Sequence, residues 1–293
     1  MKALIIAEHA AAAAELVAGA RAMADEVVAI SFGGAYECGA DKVLNITVPE
    51  GLTVDSAVET VNAAFDAENP EVVLVEACRH MKVIAGSLAF HADTAVITDV
   101  TAFEAAGAKS MYFGGIAERV QKAAGNVAIY TVGAGVFDGA EGANGSVAEQ
   151  EWVAPARPVK VVSSQVIEKS GVNLFKADVV VAAGRGFAEE SQLSMANDLC
   201  DKLGAGLACS RPLTEGVNWL PTERYVGVSG LMLTPKVYIA AGISGQMQHM
   251  VGCNRSGAIF AINKDKNAPI FKQCDFGIVG DLNEILPALT AAL

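Results

Sequence analysis

The feature that most constrains this chain is a series of short, unbroken apolar runs set apart by helical lengths. In the first half the runs fall at residues 3–7, 27–32, 42–46, 72–76 and 95–99, with helical stretches at 10–24, 54–68 and 82–91. Apolar runs that do not alternate with polar residues belong to strands buried on both faces. Strands separated by helices form βαβ units in a mostly parallel sheet. The expected fold is therefore α/β: two three-layer Rossmann-like domains.

The pattern loosens between Tyr112 and Gln150, where Gly114, Gly115, Gly133, Gly135 and an acidic Gly-rich stretch interrupt it, so hairpin-like strands and a loop are expected. A short strand is expected at 159–162. Residues 165–175 are polar without a period, which makes them the linker and places a boundary near residue 168. The two domains are then 1–167, an N-terminal α/β scaffold, and 168–293. The alternation restarts with strands at 178–183, 205–210, 237–241, 258–263 and 276–279 and helices at 189–203, 245–251 and 282–292. Asp281 is a natural N-cap for the last helix, with Glu284 as its capping-box partner.

Composition narrows the function. With 33 acidic against 21 basic residues and no basic cluster, the chain suits neither nucleic acid nor an anionic membrane surface. No run approaches the ~20 apolar residues of a membrane span. The N-terminus reads as a first strand rather than a signal peptide, so the cytoplasm is the expected compartment. The six cysteines (Cys38, Cys78, Cys200, Cys209, Cys253 and Cys274) contain no CxxC pair and have no histidine at ligand spacing beside them in sequence. They read as small buried hydrophobes, and no metal is expected.

In open parallel sheets ligands bind beyond the carboxyl ends of the strands. In the second half those ends carry Gly184-Arg185-Gly186; Ser210 and Arg211; Gly242, Ser244, Gly245, Gln248 and His249; Asn263; and Asp281. Glycines let backbone N–H groups approach a phosphate, and arginine suits a pyrophosphate or a planar ring. Each feature has a plain structural reading as well: a tight turn, a core histidine, a helix cap. Their recurrence at successive strand ends favours a nucleotide-cofactor site.

The order of Gly184-Arg185-Gly186, Cys209-Ser210-Arg211-Pro212, Gly242-Ile243-Ser244-Gly245-Gln246-Met247-Gln248-His249, Ala261-Ile262-Asn263-Lys264-Asp265, Ala268-Pro269-Ile270-Phe271 and Phe276-Gly277-Ile278-Val279-Gly280-Asp281 resembles the α-subunit of electron-transfer flavoproteins, specifically the FixB-type branch linked to anaerobic acyl-CoA reduction or nitrogen fixation. The resemblance covers the second half; the first half shares only length and α/β pattern. It implies one FAD held between this chain and an electron-transfer flavoprotein β-subunit. It places Arg185 against the FAD, and Ser210 and Arg211 near the phosphates and over the isoalloxazine ring. Val226, Gly227, Val228 and Ser229 fall where the family sets a hydroxyl beside flavin N5. Ser244, Gly245, Gln246, Met247, Gln248 and His249 fall on the loop and helix that meet ring and phosphates, and Asn263, Asp281 and Leu282 fall on the adenosine side. Where the family often has Gln-Thr-Gly-Lys, this chain has Val228-Ser229-Gly230-Leu231. The hydroxyl is kept, while one polar and one charged side chain are lost.

The implied function is a heterodimeric electron carrier, not an enzyme. It would pass electrons through FAD between a dehydrogenase, of the acyl-CoA type, and a quinone- or ferredoxin-linked oxidoreductase. Arg211 and His249 are expected to raise the flavin potential by favouring negative charge near N1 and O2. Two other readings stand beside it. A nicotinamide-dependent oxidoreductase would want a GxGxxG turn after the first strand, where the sequence has Glu8-His9-Ala10. A flavin-free structural partner subunit would use the N-terminal domain only as a dimerisation surface.

Overall fold

The computed structural model describes residues 1–139, 142–165 and 173–293. It divides into two units, one of Met1–Tyr112 and Glu118–Val166, the other of Phe113–Ala117 and Ile167–Leu293. The linker and the boundary expected near residue 168 lie largely outside the described residues.

The N-terminal unit is built on a nine-stranded sheet. Its strands are β1 (Lys2–Ile6), β2 (Glu26–Phe32), β3 (Lys42–Ile46), β4 (Val72–Glu76), β5 (Val96–Glu104), β6 (Gly107–Tyr112), β7 (Ala117–Gln121), β8 (Ala128–Val132) and β9 (Ser146–Glu149). Their spatial order is β7-β6-β5-β8-β4-β1-β2-β3-β9. Helix α1 (Ala10–Ala20) covers one face; α2 (Val58–Glu68) and α3 (Arg79–His91) cover the other. The central strands bury nearly every side chain, as their unbroken apolar sequence requires.

Two expectations fail here. Strand β5 runs on past residue 99 to Glu104 and turns back antiparallel as β6, with a register shift between Val100 and Ala102, while β8 inserts in parallel between β4 and β5, its pairing with β5 shifting between Ile97 and Val100. Residues 159–162 join no sheet. Val159 is clipped to the 51–56 loop, donating its N–H to the Ser56 hydroxyl and accepting from the Thr53 N–H, and Val162 is almost fully exposed. Pro158 carries no N–H for a ladder, so the extended backbone is satisfied locally instead.

The C-terminal unit has a five-stranded, wholly parallel sheet. Strands β10 (Val179–Ala183), β11 (Gly206–Cys209), β12 (Val237–Ala241), β13 (Ala258–Asn263) and β14 (Phe276–Val279) lie in the order β11-β10-β12-β13-β14. From β10 the chain crosses to one side and then returns to the other, so the order reverses between β10 and β12. Helices α4 (Leu193–Leu203) and α6 (Leu282–Ala292) seal one face with Leu193, Ala196, Leu199 and Leu286. The other face is covered by Val226, Leu233, Met250 and Ile270, which come mainly from irregular segments.

Asp281 does cap α6, accepting at Oδ1 from both the N–H and the Nδ2 of Asn283 at 2.8 Å. The second donor is thus Asn283, and no capping box with Glu284 forms. The capping box lies elsewhere, between Glu189 and Gln192 ahead of α4. No helix among the described residues is long and apolar enough to cross a membrane.

Leu286 is fully buried where α6 meets α4 and the sheet. Leu286→Ala is expected to cost about 2–5 kcal/mol, read as a lower urea midpoint. A loss below about 1 kcal/mol would show that α6 does not seal this face.

Candidate functional site

The reversal between β10 and β12 opens the crevice where parallel sheets hold ligands. Two glycine turns meet there. The N–H of Gly186 donates to the Gly242 carbonyl at 2.9 Å, extending the ladder that Gly184 begins with Ala241. A Cβ on Gly186 would lie 2.6 Å from the Gly242 Cα, and one on Gly242, where φ is +67°, would lie 2.7 Å from the Gly186 Cα. No side chain fits between the two backbones, and the Leu282 side chain closes the floor beneath them.

The loop after β12 is held from several directions. Asn263 donates from Nδ2 to the Ile243 carbonyl and accepts at Oδ1 from the Asp265 N–H, so its side chain braces the loop. Ile270 donates its N–H to the Ser244 carbonyl. The helix expected at 245–251 shortens to α5, Met247–Met250, a single turn with little dipole to offer an anion. Ser244, Gln246 and Gln248 are exposed, Gly245 is buried and Met247 is half-buried.

The segment 226–229 lies against α5. Val228 donates its N–H to the Gln248 carbonyl at 2.8 Å, and Val226 donates to the Cys209 carbonyl at the end of β11. Val226 is wholly buried and Gly227 passes close to Gln248, so both offer backbone only, whereas Val228 and Ser229 are exposed. The Ser229 hydroxyl lies 3.2 Å from that of Tyr225, a partner the sequence did not suggest.

His249 is the one buried ionisable group of this loop. Its Nε2 lies 2.9 Å from the hydroxyl of the fully buried Tyr238, while Nδ1 is buried with no hydrogen bond among the described residues. Burial pushes its pKa down to about 4, with the Val226 carbonyl pulling weakly the other way, so the ring is neutral at pH 7. Sequence reasoning missed Tyr238; the signal was a lone tyrosine in the apolar run of β12, since a buried hydroxyl needs a partner.

The cations sit outside. Arg185 is exposed, and Arg211 directs Nε to Glu215 at 2.6 Å within the turn Pro212–Gly216. A groove of about 440 Å³ lies between these turns, lined by Arg185, Phe187, Leu213 and Trp219 among others. Ser210 is nearly buried, and hydrogen bonds from Asn283 hold the exposed Asp281 carboxyl below its ordinary range. Burial pushes the Cys209 and Cys253 thiols up to about 12, so both act as small hydrophobes.

A family model described as the electron transfer flavoprotein FAD-binding domain matches residues 173–254, and one described as the electron transfer flavoprotein domain matches residues 3–157. The chain is 40% identical over 293 residues to protein FixB of Escherichia coli O157:H7, spanning 95% of this chain and 94% of that one. Protein FixB of Shigella flexneri matches at the same identity and coverage. The chain belongs to the electron-transfer flavoprotein α-subunit family. Its role is electron transfer rather than catalysis on a substrate, and its cofactor is FAD. The structure fits an FAD: a glycine crevice no side chain can enter, a buried nitrogen without a partner, and arginines at the rim.

The depressed His249 pKa makes stability depend on pH. As pH falls through 6.5 the unfolded chain gains a proton that the folded chain refuses until about 4, so stability is lost across that window. The loss attributable to His249 is on the order of 3 kcal/mol. Urea midpoints of the flavin-free protein at pH 7 and pH 4.5 should differ less in His249→Gln than in wild type, and equal differences would refute the assignment.

Proposed function

We propose that this chain holds FAD across the β10–β12 crevice against a β-subunit and carries electrons between an acyl-CoA dehydrogenase and a quinone- or ferredoxin-linked oxidoreductase. The observation that most supports this reading is the buried His249 Nδ1. A polar nitrogen kept from water without a partner marks a place completed by a ligand. Membership of the electron-transfer flavoprotein α-subunit family supports the same reading.

Bound FAD supplies one- and two-electron transfer at its isoalloxazine ring. The residues then divide the work. The contact of Gly184 and Gly186 with Gly242 would set where the pyrophosphate-binding loops diverge, with Arg185 as the countercharge. Ser244, Gly245 and Gln246 continue the cradle, and Ser210 lines it beside Arg211. The exposed Ser229 would supply a hydroxyl to the flavin ring. With Tyr238 donating to Nε2, His249 carries its proton at Nδ1 and presents a neutral donor to the ring's O2 side. Met247 and Gln248 would line that side of the site. Asp281 stays ionised and accepts from the ribose, while Asn263 and Leu282 set the loop and floor beneath it.

Arg211 acts as a cation over the ring, favouring the electron-rich form. Arg211→Ala is expected to lower the flavin midpoint potential, measured by spectroelectrochemistry of the purified complex; unchanged potentials would sink that role. Because His249 is neutral, the potential should show no inflection from its titration between pH 5 and 8. Co-purification with a second subunit, followed by a nucleotide count, tests the heterodimer. Two FADs per complex point to a bifurcating type and one FAD with AMP to a simple carrier, while a colourless single chain rejects the proposal.

A further inference from the structure

In the N-terminal unit, strands β1 and β4 are parallel neighbours with Ile6 paired to Val75. That register brings two stretches about 70 residues apart to the same sheet end, Glu8-His9 after β1, and Glu76 at the end of β4 with Ala77-Cys78 after it. The sheet order also reverses beside β1, so these residues occupy the crevice where a ligand would sit in such a fold. We propose that Glu8, His9 and Cys78 form a binding site for a borderline divalent cation of the Zn²⁺ class.

A carboxylate oxygen of Glu8, a ring nitrogen of His9 and the Cys78 Sγ all lie within 4.8 Å of one another. Ligand atoms around a tetrahedral Zn²⁺ stand roughly 3.3–3.8 Å apart, given bonds of about 2.0–2.3 Å, so small side-chain rotations close the set. One nitrogen, one sulfur and one oxygen suit Zn²⁺ or Co²⁺ better than the hard cations Mg²⁺ or Ca²⁺. Three protein ligands leave a fourth position for water.

The surrounding contacts orient these ligands. Glu76 Oε1 lies 2.7 Å from His9 Nδ1, which fixes the ring and leaves Nε2 as the free lone pair, the carboxylate–histidine arrangement common behind metal ligands. Glu76 Oε2 accepts from the N–H groups of Glu8 and His9, so the carboxylate is locked in place. His80 Nδ1 lies 2.9 Å from Glu8 Oε1, and the Tyr36 hydroxyl donates to the Glu8 carbonyl at 2.6 Å. Among the ion pairs of the described residues, neither Glu8 nor Glu76 meets a lysine or arginine. Two carboxylates thus converge with only neutral-capable partners, a charge a cation would balance. Binding would release the Cys78 thiol proton to solvent as the Zn–S bond forms.

The test uses the full chain with its flavin partner, stripped with EDTA and titrated with Zn²⁺ against a chromophoric chelator. One equivalent should bind per chain. His9→Ala, which alters a mostly exposed side chain, should weaken binding at least tenfold, as should Cys78→Ser. Co²⁺ should give a thiolate charge-transfer band that disappears in Cys78→Ser and persists in Cys274→Ser, which alters the other partly exposed cysteine. Failure of the wild type to take up an equivalent, unchanged affinity in His9→Ala, or a Co²⁺ band that survives Cys78→Ser would each overturn the proposal.

Discussion

The contact on which the C-terminal unit turns is the meeting of two bare backbones at the end of β10 and β12. The parallel ladder runs from Val179 opposite Val237 up to Ala183 opposite Ala241, and then continues for two more bonds through Gly184 and Gly186. Because neither Gly186 nor Gly242 carries a side chain, the strands stay in contact past the sheet, and the loops that follow diverge from one fixed point. The positions of Arg185, the 242–246 loop and His249 are consequences of that contact.

Around this point the unit keeps charge and burial apart. The one deeply buried titratable group of the 242–251 loop, His249, is neutral because water is excluded from it, and Tyr238 orients it from behind. The arginines stand in solvent, where screening weakens them until a ligand covers them. In this structure Arg211 pairs with Glu215 across one turn.

Much of this was legible in the linear chain. The runs at 42–46, 72–76, 237–241 and 258–263 coincide with strands whose side chains are buried or half-buried, whereas 276–279 also forms a strand but lies at the sheet edge with every residue exposed. The Asp281 cap was visible because a short acceptor directly before an apolar helix can take the first free N–H groups. The strand at 159–162 was a misreading: valines around a proline look like a strand, but the backbone bonds go to a neighbouring loop. The helix at 245–251 shrank to one turn, because Gly245 and the tie to Ile270 hold the backbone before it out of helical geometry.

The sequence by itself determined the α/β class, the glycine turns, the cap of the last helix and, through the order of its motifs, the flavoprotein family. Those are properties of neighbours in the chain, written in periodicity and spacing. Only the tertiary structure decided that β8 slips between β4 and β5, that Asn263 braces a loop, that His249 is neutral against Tyr238, and that Glu8 and His9 face Cys78. Each depends on strand register or on exclusion of water, which arise when distant segments pack and leave no local trace.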